Sequence, residues 1–407
     1  MAAADPSDPA VAPEPLPLAG VRILSFEQYG AGPYGSMFLA DLGADVVKAE
    51  HPRSGDVSRG TGPHLLGAGD SQFFQTFNLN KRSLTLDLKH PRGREVLHRL
   101  LPRFDAVMNN LRGDQPARLG LDYHALGAVQ PAIVCAHLSA YGRDNDRAAW
   151  PGYDYLMQAE AGFMHLTGEP DGPPARFGLS MVDYMSGSVT ATALLAALVG
   201  AMKTGRGRDV DVSLFDVAVH QLSYPATWYL NTGEVTARLP RSAHPGTVPC
   251  QLYRTGDGWV MLMCMLEKFW VALLDGIGRP ELASDPRFVD VAARRAHRDA
   301  LTEVLDDALS TRTTAQWMQR FAGRIPIAPV CDLPQALDNP FLRQVELLQE
   351  VEHPHGTQRM LRSPIRLDGR RLSGRACPPL GADTEAVLAD AGFDSGEIAG
   401  LRAEGAV

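Results

Sequence analysis

Short apolar runs alternate with stretches of helical spacing along the first third of the chain. V-R-I-L-S-F (21–26), A-D-V-V-K-A-E (44–50), R-S-L-T-L-D-L (82–88), F-D-A-V-M-N-N (104–110) and A-I-V-C-A-H-L-S-A (132–140) read as strands, most of them buried on both faces. Between them, P-Y-G-S-M-F-L-A-D-L (33–42) and P-R-G-R-E-V-L-H-R-L-L (91–101) repeat apolar residues at helical intervals. Such alternation predicts an α/β domain with a mainly parallel sheet covered by helices. A long helix is predicted from Tyr184 to about Lys203, stopping at K-T-G-R-G, and D-V-D-V-S-L-F-D-V is a further strand running into a helix.

The pattern changes near residue 235. E-V-T-A-R-L-P-R-S-A-H-P-G-T-V-P is rich in turn residues, and Y-R-T-G-D-G-W-V-M-L-M-C-M predicts a hairpin turning at Gly256-Asp257-Gly258. Its apolar M-L-M-C-M reads as a core strand. Helical segments follow at K-F-W-V-A-L-L-D-G-I, A-H-R-D-A-L-T-E-V-L-D-D-A-L and T-A-Q-W-M-Q-R-F, which together suggest a smaller α+β domain. The helical tail around T-E-A-V-L-A-D-A-G-F is expected to return to the first domain. No internal repeat is visible.

Composition narrows the function. A net charge of −8 over 407 residues gives no basic field to attract nucleic acid or an anionic membrane, though a local basic patch can still hold a small anion. The five cysteines have no C-x-x-C or paired spacing, which fits reduced, buried thiols and a cytoplasmic location. No Cys or His pair has zinc-ligand spacing, so no metal is expected, and H-P-H-G (353–356) reads as a loop. The Pro- and Ala-rich residues 1–17 form a tail without the cationic start and apolar core of a signal peptide. No apolar run approaches ~20 residues, so no membrane span is expected.

Two features carry candidate chemistry. Gly30, Gly32 and Gly35 form a G-x-G-x-x-G between a strand and a helix, and Glu50 follows at the end of the next strand, as in a dinucleotide-binding unit. Pro33 counts against that reading, because it lacks an N–H where a pyrophosphate would need donors. From these residues alone the turn could serve NAD or FAD, another phosphate-containing ligand, or only the fold. Asp183 stands immediately before the long helix. It is either an N-cap or, kept ionised by the helix N-terminus, a carboxylate nucleophile. Upstream, Tyr153, Asp154 and Glu160 supply polar groups before a Gly/Pro-rich connection. Lys48, Arg53, Lys81, Arg82, Lys89, Arg112 and Arg118 are the basic candidates for phosphate contact, each equally readable as a surface charge. No G-x-S-x-G, G-K-[ST] or H-E-x-x-H occurs, which disfavours the corresponding hydrolases, NTPases and zinc proteases.

Taken together, the blocks resemble a family III CoA-transferase, the group that includes formyl-CoA transferase, carnitine CoA-transferases and α-methylacyl-CoA racemase. The resemblance runs from Leu18 to the C-terminus. It is carried by L-A-G-V-R-I-L-S-F with A-G-P-Y, A-D-L-G-A-D-V-V-K-A-E, F-N-L-N-K-R-S-L-T-L-D-L-K, P-G-Y-D-Y-L-M-Q-A-E-A-G-F-M-H-L-T-G-E-P-D-G-P-P, V-D-Y-M-S-G, K-T-G-R-G and P-P-L-G-A-D-T-E-A-V-L. It implies a large Rossmann-like domain built from residues 18–228 and 335–407, a small α+β domain at 229–334, and an interlocked homodimer.

The ligand of the glycine turn then becomes coenzyme A, a substrate rather than a tightly bound cofactor. The resemblance places Gln28, Tyr29, Ala31, Leu86, Lys89, Asn110, Leu111, Arg118 and Tyr153 around it, with Lys89 and Arg118 near its phosphates. It makes Asp183 the nucleophile of transfer between an acyl-CoA and a carboxylic acid, through an aspartyl anhydride and an aspartyl-CoA thioester. Two departures refine this. His51 replaces a basic Arg of formyl-CoA transferase. Tyr153 stands where the racemase carries His in G-H-D, and a phenol with pKa about 10 is a poor proton-exchange partner, so transfer is favoured over racemisation or a non-catalytic CoA-binding role. The Gly-rich loop of formyl-CoA transferase is also missing; H-P-G-T-V-P (244–249) takes its approximate place, so formate and oxalate are not favoured over other acids.

Overall fold

In the computed structural model, which describes residues 14–407, six strands form one parallel sheet. They are β1 (Arg22–Phe26), β2 (Asp45–Glu50), β3 (Arg82–Thr85), β4 (Ala106–Asn109), β5 (Val134–Ser139) and β6 (Arg208–Ser213), in spatial order β3-β2-β1-β4-β5-β6. Leu24 pairs with Val47 on one side and Val107 on the other. This is the doubly wound order, whose direction of winding reverses between β1 and β4. Ligands of such sheets lie beyond the carboxyl ends of the strands at that reversal.

The helices covering the sheet are α1 (Ala31–Asp41), α2 (Pro91–Leu100), α3 (Met181–Thr204) and α4 (Leu214–His220). Successive strand residues point to opposite faces. Ile23, Val46, Met108 and Val134 join Leu39, Leu194 and Leu198 in one core, while Leu24, Val47, Val107 and Cys135 join Val96, Leu97 and Leu100 in the other. Both faces are therefore dry, which is why the strands read as continuous apolar runs.

The long helix begins three residues before the expected Tyr184, and Asp183 lies in its first turn behind the N-cap Ser180. The N-cap reading of Asp183 is thereby corrected. So is the expectation about apolar length. At 24 residues, α3 is by length and composition able to cross a membrane, but here its Val182, Leu194 and Leu198 are buried in protein. It crosses α1 at two glycines. A Cβ at Gly35 would overlap the Gly187 carbonyl, and one at Gly187 would overlap the Ala31 carbonyl.

The edge strand β3 is covered by the far end of the chain. Ser83 N–H donates to Asp383 Oδ2 (2.9 Å) and Thr85 N–H to Thr384 Oγ1 (3.0 Å). Val387, Leu388, Ile398 and Leu401, from two terminal helices (Thr384–Asp390 and Ser395–Glu404), enter the same core as Leu24 and Val47.

The chain divides into two compact units, one ending its segments at Met157, Gln221 and Val407, the other comprising Gln158–Gly178 and Leu222–Phe341. The boundaries thus differ from 228/229 and 334/335, and residues 158–178 join the second unit. There, Arg238 donates to the carbonyls of Gly172 and Pro173, and the Arg241 N–H to the Glu169 carboxylate. The second unit folds around an antiparallel sheet of Cys250–Arg254, Trp259–Met263 and Ile327–Pro329, with a core of Tyr253, Leu262, Trp270, Leu305 and Trp317. The expected hairpin and helices are present. The tail expected at residues 1–17 falls mostly on 1–13, outside the described residues. Four cysteines are buried and Cys331 is exposed; none is paired.

Candidate active site

At the reversal of the sheet, the chain leaves β1 and turns through Glu27–Gly30 into α1. Asn110, just past β4, clamps this corner. Its Oδ1 accepts from Gln28 N–H (2.8 Å) and its Nδ2 donates to Gln28 C=O (2.6 Å). Tyr29 N–H donates to Asp56 Oδ1 (3.1 Å), and Tyr29 holds φ 70°, a left-handed conformation that non-glycine residues avoid. No side chain caps α1 at Gly30, and its first turn carries no acidic residue. The positive end of the helix thus faces the site without a protein carboxylate bonded to it.

Asp183 completes the corner. A Cβ at Gly30 would stand 3.1 Å from Asp183 Oδ2, so glycine permits the close approach of the carboxylate. The Asp183 N–H donates to Asp154 Oδ2 (2.9 Å). Burial first, and the neighbouring charge of Asp154 second, push the Asp183 carboxyl up to about 7. The expectation that the helix N-terminus keeps it fully ionised is therefore corrected. Desolvation and a like charge outweigh the dipole, and the group titrates near neutrality.

A cavity of about 580 Å³ opens at this corner. It gathers Gln28, Tyr29, Ala31, Asn110, Leu111, Tyr153 and Asp183 from the candidates, together with Arg112, Gln115 and Ser139. Leu86 is instead buried in the core, and Lys89 and Arg118 are exposed away from this lining. Arg118 pairs with Asp114 (3.1 Å), which also holds Arg112 (2.9 Å). Arg112 is thus the cation of the cavity wall. Gln115 and Ser139 had no sequence motif; their signal is position alone, just past or at the carboxyl ends of β4 and β5. A second cavity, about 530 Å³, runs along Tyr34, Met37 and Phe38 on α1 and contains none of the candidates.

Other charged candidates prove internal. Glu50 takes Arg59 through both oxygens (2.7 and 2.8 Å) and also accepts from Ser83 Oγ (2.8 Å) and Asp56 N–H (3.1 Å). Burial raises its pKa, but Arg59, Lys48 and Ser83 together outweigh burial and hold it below the usual carboxylate range. A ribose contact is excluded by these partners. Lys48 and Lys81, considered for phosphate, are wholly buried. Lys81 Nζ donates to Pro33 C=O (2.9 Å), Phe77 C=O (3.0 Å) and Asn78 Oδ1 (3.0 Å), and burial pushes its pKa down to about 8.

Comparison with known proteins agrees with this geometry. The model of CoA-transferase family III matches residues 18–384. A succinate–glutarate CoA-transferase of Agrobacterium fabrum is 31% identical, covering 92% of this chain and 95% of its own. An acetyl-CoA:oxalate CoA-transferase of Acetobacter aceti is 34% identical over 80% of this chain and 83% of its own. The crystal structure of a CAIB/BAIF family protein from Brucella suis superposes with a TM-score of 0.80 at 31% identity, covering 93% of this chain and all of that one. With a matched family model over nearly its whole length, a doubly wound sheet and a carboxylate at the reversal, the chain belongs to CoA-transferase family III, and is an enzyme of that family.

Proposed function

We propose that the protein moves coenzyme A between carboxylic acids with Asp183 as covalent nucleophile. The observation that carries the reading is the Asp183 carboxylate held against Gly30 at the uncapped start of α1. In the first step an Asp183 oxygen attacks the thioester carbonyl carbon of an acyl-CoA. The C–S bond breaks, leaving a mixed anhydride and CoA thiolate. The thiolate then attacks the Asp183 carbonyl carbon, expelling the donor acid as a carboxylate and leaving an aspartyl-CoA thioester. An acceptor carboxylate reverses both steps. Charge passes among anions throughout, so backbone N–H groups at a helix start are the fitting stabilisers.

Coenzyme A occupies the 580 Å³ cavity in this reading, with Gln28, Tyr29, Ala31, Asn110, Leu111 and Tyr153 around it and Arg112 as the nearest lining cation. Lys89 and Arg118 remain candidates for the outlying phosphates. The names of the relatives point to short dicarboxylates, such as succinate, glutarate and oxalate, as the first acids to try. The protein acts in the cytoplasm as a homodimer. Support for self-association comes from apolar side chains left open to solvent, Val199 and Met202 on α3 and Tyr229 and Leu230 on the helix Ser223–Thr232, which buries none of its residues. Light scattering of the purified protein tests the dimer.

Incubation with acyl-CoA followed by hydroxylamine should mark Asp183, read by peptide mass spectrometry, and Asp183→Ala should abolish both the mark and the transfer. Transfer at the wild-type rate by Asp183→Ala ends the proposal.

A further inference from the structure

Beneath the corner lies a buried ion pair that the chemistry above does not use. Lys48 on β2 and Asp56 in the following loop have no side-chain exposure, and Lys48 Nζ stands 2.8 Å from Asp56 Oδ2. Lys48 Nζ also donates to Glu27 C=O (2.7 Å). The other oxygen of Asp56 accepts from Tyr29 N–H (3.1 Å) and Ser58 N–H (2.8 Å). The pair thus grips the backbone on both sides of Gln28, whose own N–H and C=O are taken by Asn110. The residue gripped, Tyr29, is the left-handed one, and the next is Gly30, against which Asp183 rests.

Burying a lysine and an aspartate is a poor way to stabilise a fold, since an apolar pair of similar volume commonly does as well or better. The place of these two charges is better explained by what they hold. We propose that Lys48 and Asp56 are positioning residues for the transfer: they keep the Tyr29 peptide left-handed, so that Gly30 and the open start of α1 stand against the Asp183 carboxylate. This rests on Asp183 being the nucleophile.

Two neutral double variants separate positioning from stability. Lys48→Met/Asp56→Asn keeps an oxygen for Tyr29 N–H, whereas Lys48→Met/Asp56→Leu offers none, and neither leaves a lone buried charge. Single-turnover formation of the Asp183 adduct should stay within about threefold of wild type in the asparagine pair and fall at least about tenfold in the leucine pair, the rate equivalent of releasing one left-handed non-glycine residue. Adding Tyr29→Gly to the leucine pair should recover several-fold of that loss, because glycine takes this conformation unaided. Lys48→Met/Asp56→Ala is the acceptor-free pair to use if leucine prevents folding, as judged by thermal melting. Equal adduct rates in the two folded pairs, or no recovery with Tyr29→Gly, overturn the inference while leaving Asp183 as nucleophile. A wild-type protein that forms no Asp183 adduct removes the nucleophile, and this inference with it.

Discussion

Raising the pH from about 6 to about 8 should speed acylation of Asp183 about tenfold, whereas an ordinary carboxylate would show almost no change over that range. The reason is the carboxyl's pKa, raised from 3.8 to about 7 by burial and by Asp154. With the midpoint there, roughly one-tenth of the nucleophile is ionised at about pH 6 and roughly nine-tenths at about pH 8. The assay is the rate of adduct formation at acyl-CoA concentrations below KM, which follows the ionisation of the free enzyme. The same shift has a sign for stability. A carboxyl whose folded pKa is raised binds its proton more tightly in the native state. Its favourable contribution is complete below 3.8 and is lost as pH rises through about 7. At its upper limit the loss is about 4 kcal/mol, reduced in practice by the partial exposure of the group. Asp183→Asn, permanently neutral, should therefore melt above the wild type at about pH 8 and close to it at about pH 4. A flat acylation rate between about pH 6 and 8, with no pH-dependent gain in melting temperature for Asp183→Asn, would refute the reasoning.

Further expectations follow from neighbouring contacts. Asp154→Asn keeps an oxygen for the Asp183 N–H but removes the like charge, so the midpoint of the acylation profile should move to lower pH while burial holds it above 3.8. Gly187→Ala should push α3 from α1, lowering stability in denaturant unfolding by about 1–3 kcal/mol and slowing the adduct as Gly30 parts from Asp183. Arg59→Met, which leaves Glu50 buried without its cation, should cost about 3–5 kcal/mol by the same measurement, and Glu50→Gln/Arg59→Met much less.

The sheet was legible because each of its strands is apolar on both faces and ends in turn residues, so a local pattern sufficed. The corner was legible because its glycines meet backbone and carboxylate at close range, a requirement only glycine satisfies. The internal charges were not. Glu50 finds Arg59 nine residues away and Ser83 thirty-three away, and Lys48 finds Asp56 across a loop. No periodicity links such partners, and charge in a sequence reads by default as surface. Asn110 was placed correctly at the cavity, yet both ends of its amide are taken by Gln28. The start of α3 was misplaced for a similar reason: Ser180 makes no side-chain capping bond, so the helix begins without the feature that ordinarily announces it.

The covering of β3 by the end of the chain has a consequence for biosynthesis. The strand leaves the ribosome about 300 residues before the helix Ser395–Glu404 that helps to bury its core, an interval of roughly 15–60 s at cellular elongation rates. Throughout that time the edge later occupied by Asp383 and Thr384 presents open backbone groups to any passing strand. The nascent chain therefore has to be shielded while it waits for its last residues, and a ribosome stalled before residue 383 would release a product whose sheet remains open to aggregation.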